Sequence, residues 1–141
     1  MTGFRAVVLI FCTLVILGNP ALAWGDRDAS GSWESTYDFG PEKEIMTAKI
    51  QQVENNILGS FSVVVEPSGD EYSGIIFGTV EDDRVNAYYL SVRNLGEDDP
   101  LVSITFADGR LIDDETIKGT VYYQDSNFNE IPPFDYKATK I

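Results

Sequence analysis

Short runs of alternating apolar and polar residues, separated by turn residues, constrain the fold more than any other feature of this chain. The clearest run is at residues 72–80, which are rich in β-forming residues and interrupted by two glycines, and residues 58–63 and 118–123 repeat its pattern more loosely. Period-two alternation is typical of a half-buried strand, and no stretch shows a convincing helical period. Several strands at this spacing predict an all-β sandwich or barrel.

The pattern predicts about eight strands, at residues 32–39, 44–53, 57–66, 72–80, 84–93, 101–107, 116–124 and 134–141. The connections are too short for a crossover helix, so we expect antiparallel pairing in chain order. A meander of this length removes its free edges most easily by closing on itself. We therefore predict a single up-and-down antiparallel β-barrel, in which Gly59, Gly78 and Gly119 lie where the sheet bends or a neighbour needs room.

The alternation also assigns side chains to the two faces of the sheet. In residues 57–65 the side that contains glycine is the more apolar, so we expect that side to face the interior. The same rule predicts that Ile75 and Phe77 face outward, beside Tyr88 and Leu90 of the next strand. Exposed apolar patches often mark partner surfaces. These four residues are therefore a candidate interaction face, unless a terminus or a loop covers them.

The N-terminal residues have the layout of a secretory signal peptide. Arg5 precedes an apolar run at residues 6–17, helix-breaking residues follow, and small side chains precede an expected cleavage site after Ala23. The alternative is an uncleaved anchor, but the run is shorter than the roughly 20 residues of a membrane span. We therefore expect residues 1–23 to be removed and the protein to be secreted.

Removal of the signal peptide leaves residues 24–31 as a flexible N-terminal tether and residues 32–141 as one β-barrel domain. The single cysteine, Cys12, lies in the signal peptide, so the exported chain has no disulfide and depends on packing and hydrogen bonds.

The chain is strongly acidic, with 10 Lys and Arg against 23 Asp and Glu and a net charge of −13. Such a charge repels nucleic acid and anionic membranes, so we expect neither as a partner after signal cleavage. It favours cations and basic partners, and it equally suits a simple solvated surface.

The absence of histidine and the position of Cys12 limit the chemistry that the exported chain can perform. They exclude Ser-His-Asp and Cys-His nucleophilic systems, and zinc or haem sites with His or Cys ligands. A pair of carboxylates could still catalyse glycoside hydrolysis, but nearly every acid falls on a turn, and we do not expect an enzyme. We expect no cofactor other than calcium, whose candidate ligands are Asp82, Asp83, Asp113, Asp114 and Glu115 on loops at one end of the barrel.

The predicted interior offers a candidate ligand site. Its aromatic and apolar side chains are Trp33, Tyr37, Phe61, Tyr72, Ile76, Tyr89, Tyr123 and Tyr136. An aromatic lining with a few hydroxyls suits a small apolar or aromatic ligand. An eight-stranded barrel can equally be filled by its own side chains, with the Tyr hydroxyls paired to Ser35, Gln52 or backbone. We place any open mouth at the end that carries the connections at residues 67–71, 94–100 and 125–133.

Gly31-Ser32-Trp33 opens the first predicted strand. A Gly-x-Trp at the start of an eight-strand meander resembles the calycin barrels, the group that contains lipocalins and avidins. The resemblance implies that Trp33 packs across the closed end of the barrel, and that the barrel binds a small apolar or aromatic ligand. In lipocalins an Arg of the last strand usually lies against this Trp, whereas the last strand here offers Lys137 and Lys140.

Two functions remain open from the sequence. The first is a secreted binding module with a small apolar or aromatic ligand inside the barrel. The second is a structural or cell-surface interaction protein with a filled barrel, whose outer apolar face contacts another copy or a surface protein. An interior void of roughly 300 Å³ or more would favour the first, and a filled interior with an exposed outer patch would favour the second.

Overall fold

A computed structural model describes residues 27–93, 100–127 and 130–141. Within them, eight strands pair in chain order into one closed antiparallel barrel, which confirms the predicted fold class. The strands are β1 (Gly31–Phe39), β2 (Glu42–Val53), β3 (Asn56–Glu66), β4 (Glu71–Glu81), β5 (Arg84–Arg93), β6 (Leu101–Asp113), β7 (Thr116–Asp125) and β8 (Glu130–Lys140). None of the described residues belongs to a helix of the length and hydropathy needed to cross a membrane. The predicted signal peptide lies outside the described residues.

The two ends of the barrel carry different connections. Tight two-residue turns link β2 to β3, β4 to β5 and β6 to β7 at one end, where β1 also starts and β8 finishes. We call this the closed end. The connections that follow β1, β3, β5 and β7 lie at the opposite, open end, where the sequence placed the mouth. The connection after β1 also has only two residues, and the other three are longer.

Strand β6 is longer than the sequence predicted. The prediction ended this strand at residue 107 and placed a loop at 108–115, because Asp-Gly commonly marks a turn. Instead β6 continues to Asp113, since its second half pairs with the first residues of β5 and with β7. A Cβ on Gly109 would collide with the Tyr136 hydroxyl, so this glycine makes room inside the barrel and does not turn the chain. Strand β8 likewise starts at Glu130, ahead of the predicted start at Phe134.

The core lies inside the barrel, on the faces that the alternation assigned. Ile57, Phe61, Val63 and Val65 are all buried on β3, and Ile76 and Val80 are buried on β4. At Gly59, Gly78 and Gly119, an added Cβ would meet a backbone carbonyl oxygen of the neighbouring strand. These glycines therefore allow the close approach that a small closed sheet requires.

The segment before β1, which the sequence analysis assigned to the tether, packs against the closed end. Ala29 is fully buried. Its carbonyl oxygen accepts a hydrogen bond from Trp33 Nε1 at 2.9 Å, and its N–H donates to Gln52 Oε1 at 2.9 Å. Arg27 donates to the carbonyl oxygen of Leu111 on β6. Residues 27–30 therefore bridge several strands and cover this end of the core.

Trp33 fills the closed end, as the resemblance implied. It is 2% exposed, and Lys140 Nζ lies 5.2 Å from the centroid of its ring, within the range of a cation–π contact. Of the two lysines that the sequence analysis named on the last strand, Lys140 is therefore the one that lies over the tryptophan ring. A Cβ on Gly31, whose φ is +137°, would lie 2.6 Å from Lys140 Cε. Because Gly31 has no side chain, the Lys140 side chain can extend across the Trp33 ring.

Candidate functional site

The barrel interior is largely filled. A cavity of about 60 Å³ remains, far below the 300–1,000 Å³ of typical small-molecule pockets. All the predicted interior candidates face inward. Seven line the cavity, namely Trp33, Tyr37, Phe61, Tyr72, Tyr89, Tyr123 and Tyr136, and Ile76 is fully buried beside them. The structure therefore brings these side chains together as a packed core.

A buried acid, Glu44, lies among these aromatic side chains. It is 2% exposed, and its Oε2 accepts a hydrogen bond from the Tyr72 hydroxyl at 2.8 Å. The predicted hydroxyl partners bond elsewhere, because Ser35 Oγ donates to the carbonyl oxygen of Lys137 and Gln52 bonds the segment before β1. The sequence analysis did not single out Glu44, although Glu44 has the same parity on β2 as the apolar residues Met46, Ala48 and Ile50.

Arg93 and a group of aromatic rings close the open end. Arg93 Cζ lies 3.8 Å from the centroid of the Tyr72 ring, and its buried Nε has no hydrogen-bond partner among the described residues. The Phe39 ring meets the rings of Tyr123 and Phe134 edge-on, at centroid distances of 5.0 and 6.3 Å. The end that the sequence marked as a mouth is thus narrowed by side chains.

The interior tyrosines hold their protons more tightly than free tyrosine does. Burial is the largest cause that raises the pKa of Tyr37 and Tyr72 far above the usual value, and the charge of Glu44 adds to it in both cases. Burial alone raises the pKa of Tyr89 to about 12 and is the main cause of the raised pKa of Tyr136. These phenols therefore remain neutral at physiological pH and suit a satisfied core.

The outer face of β4–β7 carries the second candidate site. The predicted face residues do point outward, with Ile75 50% exposed, Phe77 39%, Tyr88 38% and Leu90 half-buried. The register places further apolar side chains beside them on β6 and β7. We call the whole set the apolar wall: Ile75, Phe77, Tyr88, Leu90, Ile104, Phe106 and Tyr122. No terminus or loop among the described residues buries it.

The apolar wall consists of two cross-strand rows. In the aromatic row, Phe77, Tyr88, Phe106 and Tyr122 are directly opposed on neighbouring strands. Successive ring centroids lie 5.4, 4.9 and 6.0 Å apart with the planes inclined by 16°, 36° and 28°. In the aliphatic row, Ile75 opposes Leu90, which opposes Ile104. Contacts within each row hold these side chains in place.

A groove of about 350 Å³ opens at the β7–β8 side of the wall. Its lining includes Phe106, Tyr122, Ile131 and Pro133. The ladder between β7 and β8 shifts register between Val121 and Tyr123, opposite adjacent prolines that have no N–H to donate. The groove thus originates from irregular pairing between β7 and β8. The only sign of this irregularity in the sequence of β8 is Ile131-Pro132-Pro133. This groove lies outside the barrel and is larger than the cavity inside it.

The calcium candidates lie at the closed end but have local structural roles. Asp83 pairs with Arg110 at 3.1 Å, and Asp113 Oδ1 accepts a hydrogen bond from Glu115 N–H at 2.9 Å. Asp82 and Asp114 lie in the adjoining two-residue turns. Within the described residues, no group of three or more acids is arranged to hold a metal ion. Calcium binding by these loops stays a prediction.

No protein-family model matches the sequence, and no curated protein matches it at a significant level. The closed eight-stranded antiparallel barrel is compatible with a calycin-like architecture.

Proposed function

We propose that this protein is an exported interaction module, in which a filled barrel presents the apolar wall to another protein molecule. The observation that carries the proposal is the contrast in available space: about 60 Å³ inside the barrel and a groove of about 350 Å³ beside exposed aromatic side chains. Contiguous exposed apolar surface is uncommon on monomeric soluble proteins and often marks a contact site. The wall needs such a partner to be shielded from water.

The rest of the proposal follows from the sequence. Residues 1–23 would direct export, and the excess of acidic residues, which gives the full sequence a net charge of −13, would keep the released protein soluble despite its apolar wall. The Gly31-x-Trp33 motif with Lys140 across the ring supports a distant relation to calycin barrels. A small apolar ligand inside the barrel stays a prediction, which the narrow interior does not favour.

Site-specific photo-crosslinking in the producing organism tests the proposal. A photoreactive phenylalanine analogue replaces Tyr88 in the wall, and the matched control replaces Thr36, an exposed residue of β1 on the opposite side. We expect a discrete crosslinked protein from position 88 and none from position 36. Equal labelling from both positions, or no product from either, would overturn the proposal.

A further inference from the structure

We propose that the partner of the apolar wall is a protein whose contact surface carries acidic side chains beside its apolar part. This inference rests on the proposed function and names the chemistry of the partner. The observation that carries it is a row of four cations on the outer face of β5–β8, each directly opposite the next. We call it the cationic row: Arg84, Arg110, Lys118 and Lys137.

The cationic row runs alongside the aromatic row of the wall, nearer to the closed end. On β7, Lys118 lies four residues from Tyr122, with Thr120 between them on the outer face. At about 3.4 Å per residue, four residues span about 14 Å. All four cations are exposed. A protein that covers the wall and extends this far towards the closed end therefore reaches them.

The row is unfavourable for the isolated barrel. Like charges in direct opposition destabilise a sheet, and Lys118 has a cation on both sides, Arg110 on β6 and Lys137 on β8. The chain has 23 Asp and Glu against 10 Lys and Arg, yet no acid lies between these four cations in the row. Departures from what favours folding are expected at functional sites, and a site for acidic side chains accounts for this one.

The two arginines of the row already have acidic neighbours. Arg84 pairs with Asp108 at 2.9 Å and lies opposite Glu81 on β4. Arg110 pairs with Asp83 at 3.1 Å. These contacts screen the positive charge on β5 and β6, so the part of the row that is free to receive a carboxylate lies on β7 and β8.

The two lysines of the row have no such pair. In the part of the chain that the structure describes, no ion pair joins Lys118 or Lys137 to an acid. The acids near them have other hydrogen bonds: Asp135 accepts one from a threonine hydroxyl at 3.1 Å, and Asp113 accepts one from a backbone N–H at 2.9 Å. An acid of the partner would relieve the repulsion between the two lysines.

The unpaired lysines lie on the same two strands as the groove. Tyr122 of β7 and Pro133 of β8 line the groove of about 350 Å³, which suits an apolar side chain of the partner. An acid about 14 Å further along the strands meets the lysines. An apolar centre with a polar rim is the usual arrangement of an interface. Because the net charge of −13 repels an acidic protein elsewhere on the surface, the cationic row also orients its approach.

Charge reversal at Lys118 tests the inference in the photo-crosslinking experiment. Lys118→Glu should lower the yield of crosslinked protein from position 88 about tenfold, because it removes an attraction and adds a repulsion. It also places a glutamate between Arg110 and Lys137, so it should raise the midpoint of urea unfolding. A lower yield from a more stable protein cannot result from misfolding. Lys49→Glu, at an exposed lysine of β2 that is opposed only by serines, is the matched control and should leave the yield unchanged.

The outcomes separate this inference from the proposed function. If Lys118→Glu leaves the yield unchanged or raises it, the acidic partner is wrong and the interaction module stands. Lys118→Arg keeps the charge and should keep the yield, and a loss as large as that of Lys118→Glu would also overturn the inference. So would a product that joins the walls of two copies, because a second wall brings a second cationic row. If position 88 of the otherwise unchanged chain gives no product, the proposed function and this inference both fail.

Discussion

The inner and outer faces of β4 and β5 are both apolar, but the surroundings of the two faces differ completely. Ile76 is 0% exposed and Ile75, its neighbour in the chain, is 50% exposed. Inward aromatic residues pack against one another around a small cavity, whereas outward aromatic residues form a row that is open to solvent. The inner face accounts for the stability of the barrel. The outer face needs another explanation, and association with another protein is the one that we propose.

The two adjacent isoleucines give the largest expected difference between the faces. Ile76→Ala should lower the free energy of unfolding by about 2–5 kcal/mol, because it opens a cavity in a packed core. Ile75→Ala is the matched control, and its effect on a dilute monomer should stay below about 1 kcal/mol. Urea denaturation of both variants provides the measurement. Equal losses would show that the outer face is also part of the core.

Alkaline pH should destabilise the inner face through its tyrosines. The Tyr89 phenol has a pKa of about 12 in the folded barrel against 10.0 for the ordinary group. Its contribution to stability is fully present below pH 10 and is lost as the pH rises towards 12, because the unfolded chain releases the proton first. Tyr89→Phe should therefore flatten the fall in unfolding free energy across this window by up to about 1.4 kcal/mol per pH unit. An unchanged slope in urea titrations from pH 9 to pH 12 would contradict the assignment.

Glu44 tests whether the polar part of the interior contributes to stability. Glu44→Ala should reduce the free energy of unfolding by about 1–3 kcal/mol, since it removes the acceptor of the buried Tyr72 hydroxyl. Glu42→Ala on the same strand removes an exposed acid and should change little. Thermal or urea unfolding of the two variants gives the comparison, and a Glu44→Ala protein as stable as the Glu42→Ala protein would exclude the proposed role.

The smallest expected effect concerns the cation across Trp33. Lys140→Ala should cost about 0.5–1 kcal/mol, the range of a cation–π contact near the surface. Lys137→Ala removes an exposed lysine of the same strand and serves as the control. Differential scanning fluorimetry can compare the midpoints, and a larger loss for Lys137→Ala would show that the contact with Trp33 adds nothing.

Most of the barrel could be predicted from the sequence because alternation along a strand directly reports which side is buried. That rule placed Ile76 inside and Phe77 outside, and the short connections indicated the meander. The prediction was wrong where a local turn signal conflicted with the pairing of a strand to its neighbours. Asp108-Gly109 looks like a turn, yet Arg84 pairs with Asp108 at 2.9 Å and the strand continues. The mistake arose because turn propensity is local, whereas strand length depends on the neighbours.

Only part of the apolar wall could be predicted from the sequence. Ile75 and Phe77 were identified from parity, but their continuation through Phe106 and Tyr122 depends on the register between distant strands, which composition does not give. The groove depends on a shift in that register beside Pro133. Glu44 was missed for a different reason, since an acidic residue was assumed to be solvated even though its position on β2 indicated burial.

The start of β1 and the end of β8 meet at the closed end, and this has a practical consequence. The N–H of Ile141 donates to the carbonyl oxygen of Ser32 at 2.9 Å, and β1 pairs with β8. A short linker can therefore join Ile141 to the segment that directly precedes β1, and new termini can be opened between β1 and β2 at Gly40, an exposed residue with open space around it. Such a circular permutant keeps every strand pairing and moves both termini to the opposite end of the barrel. Labels attached there would leave the packing around Trp33 undisturbed.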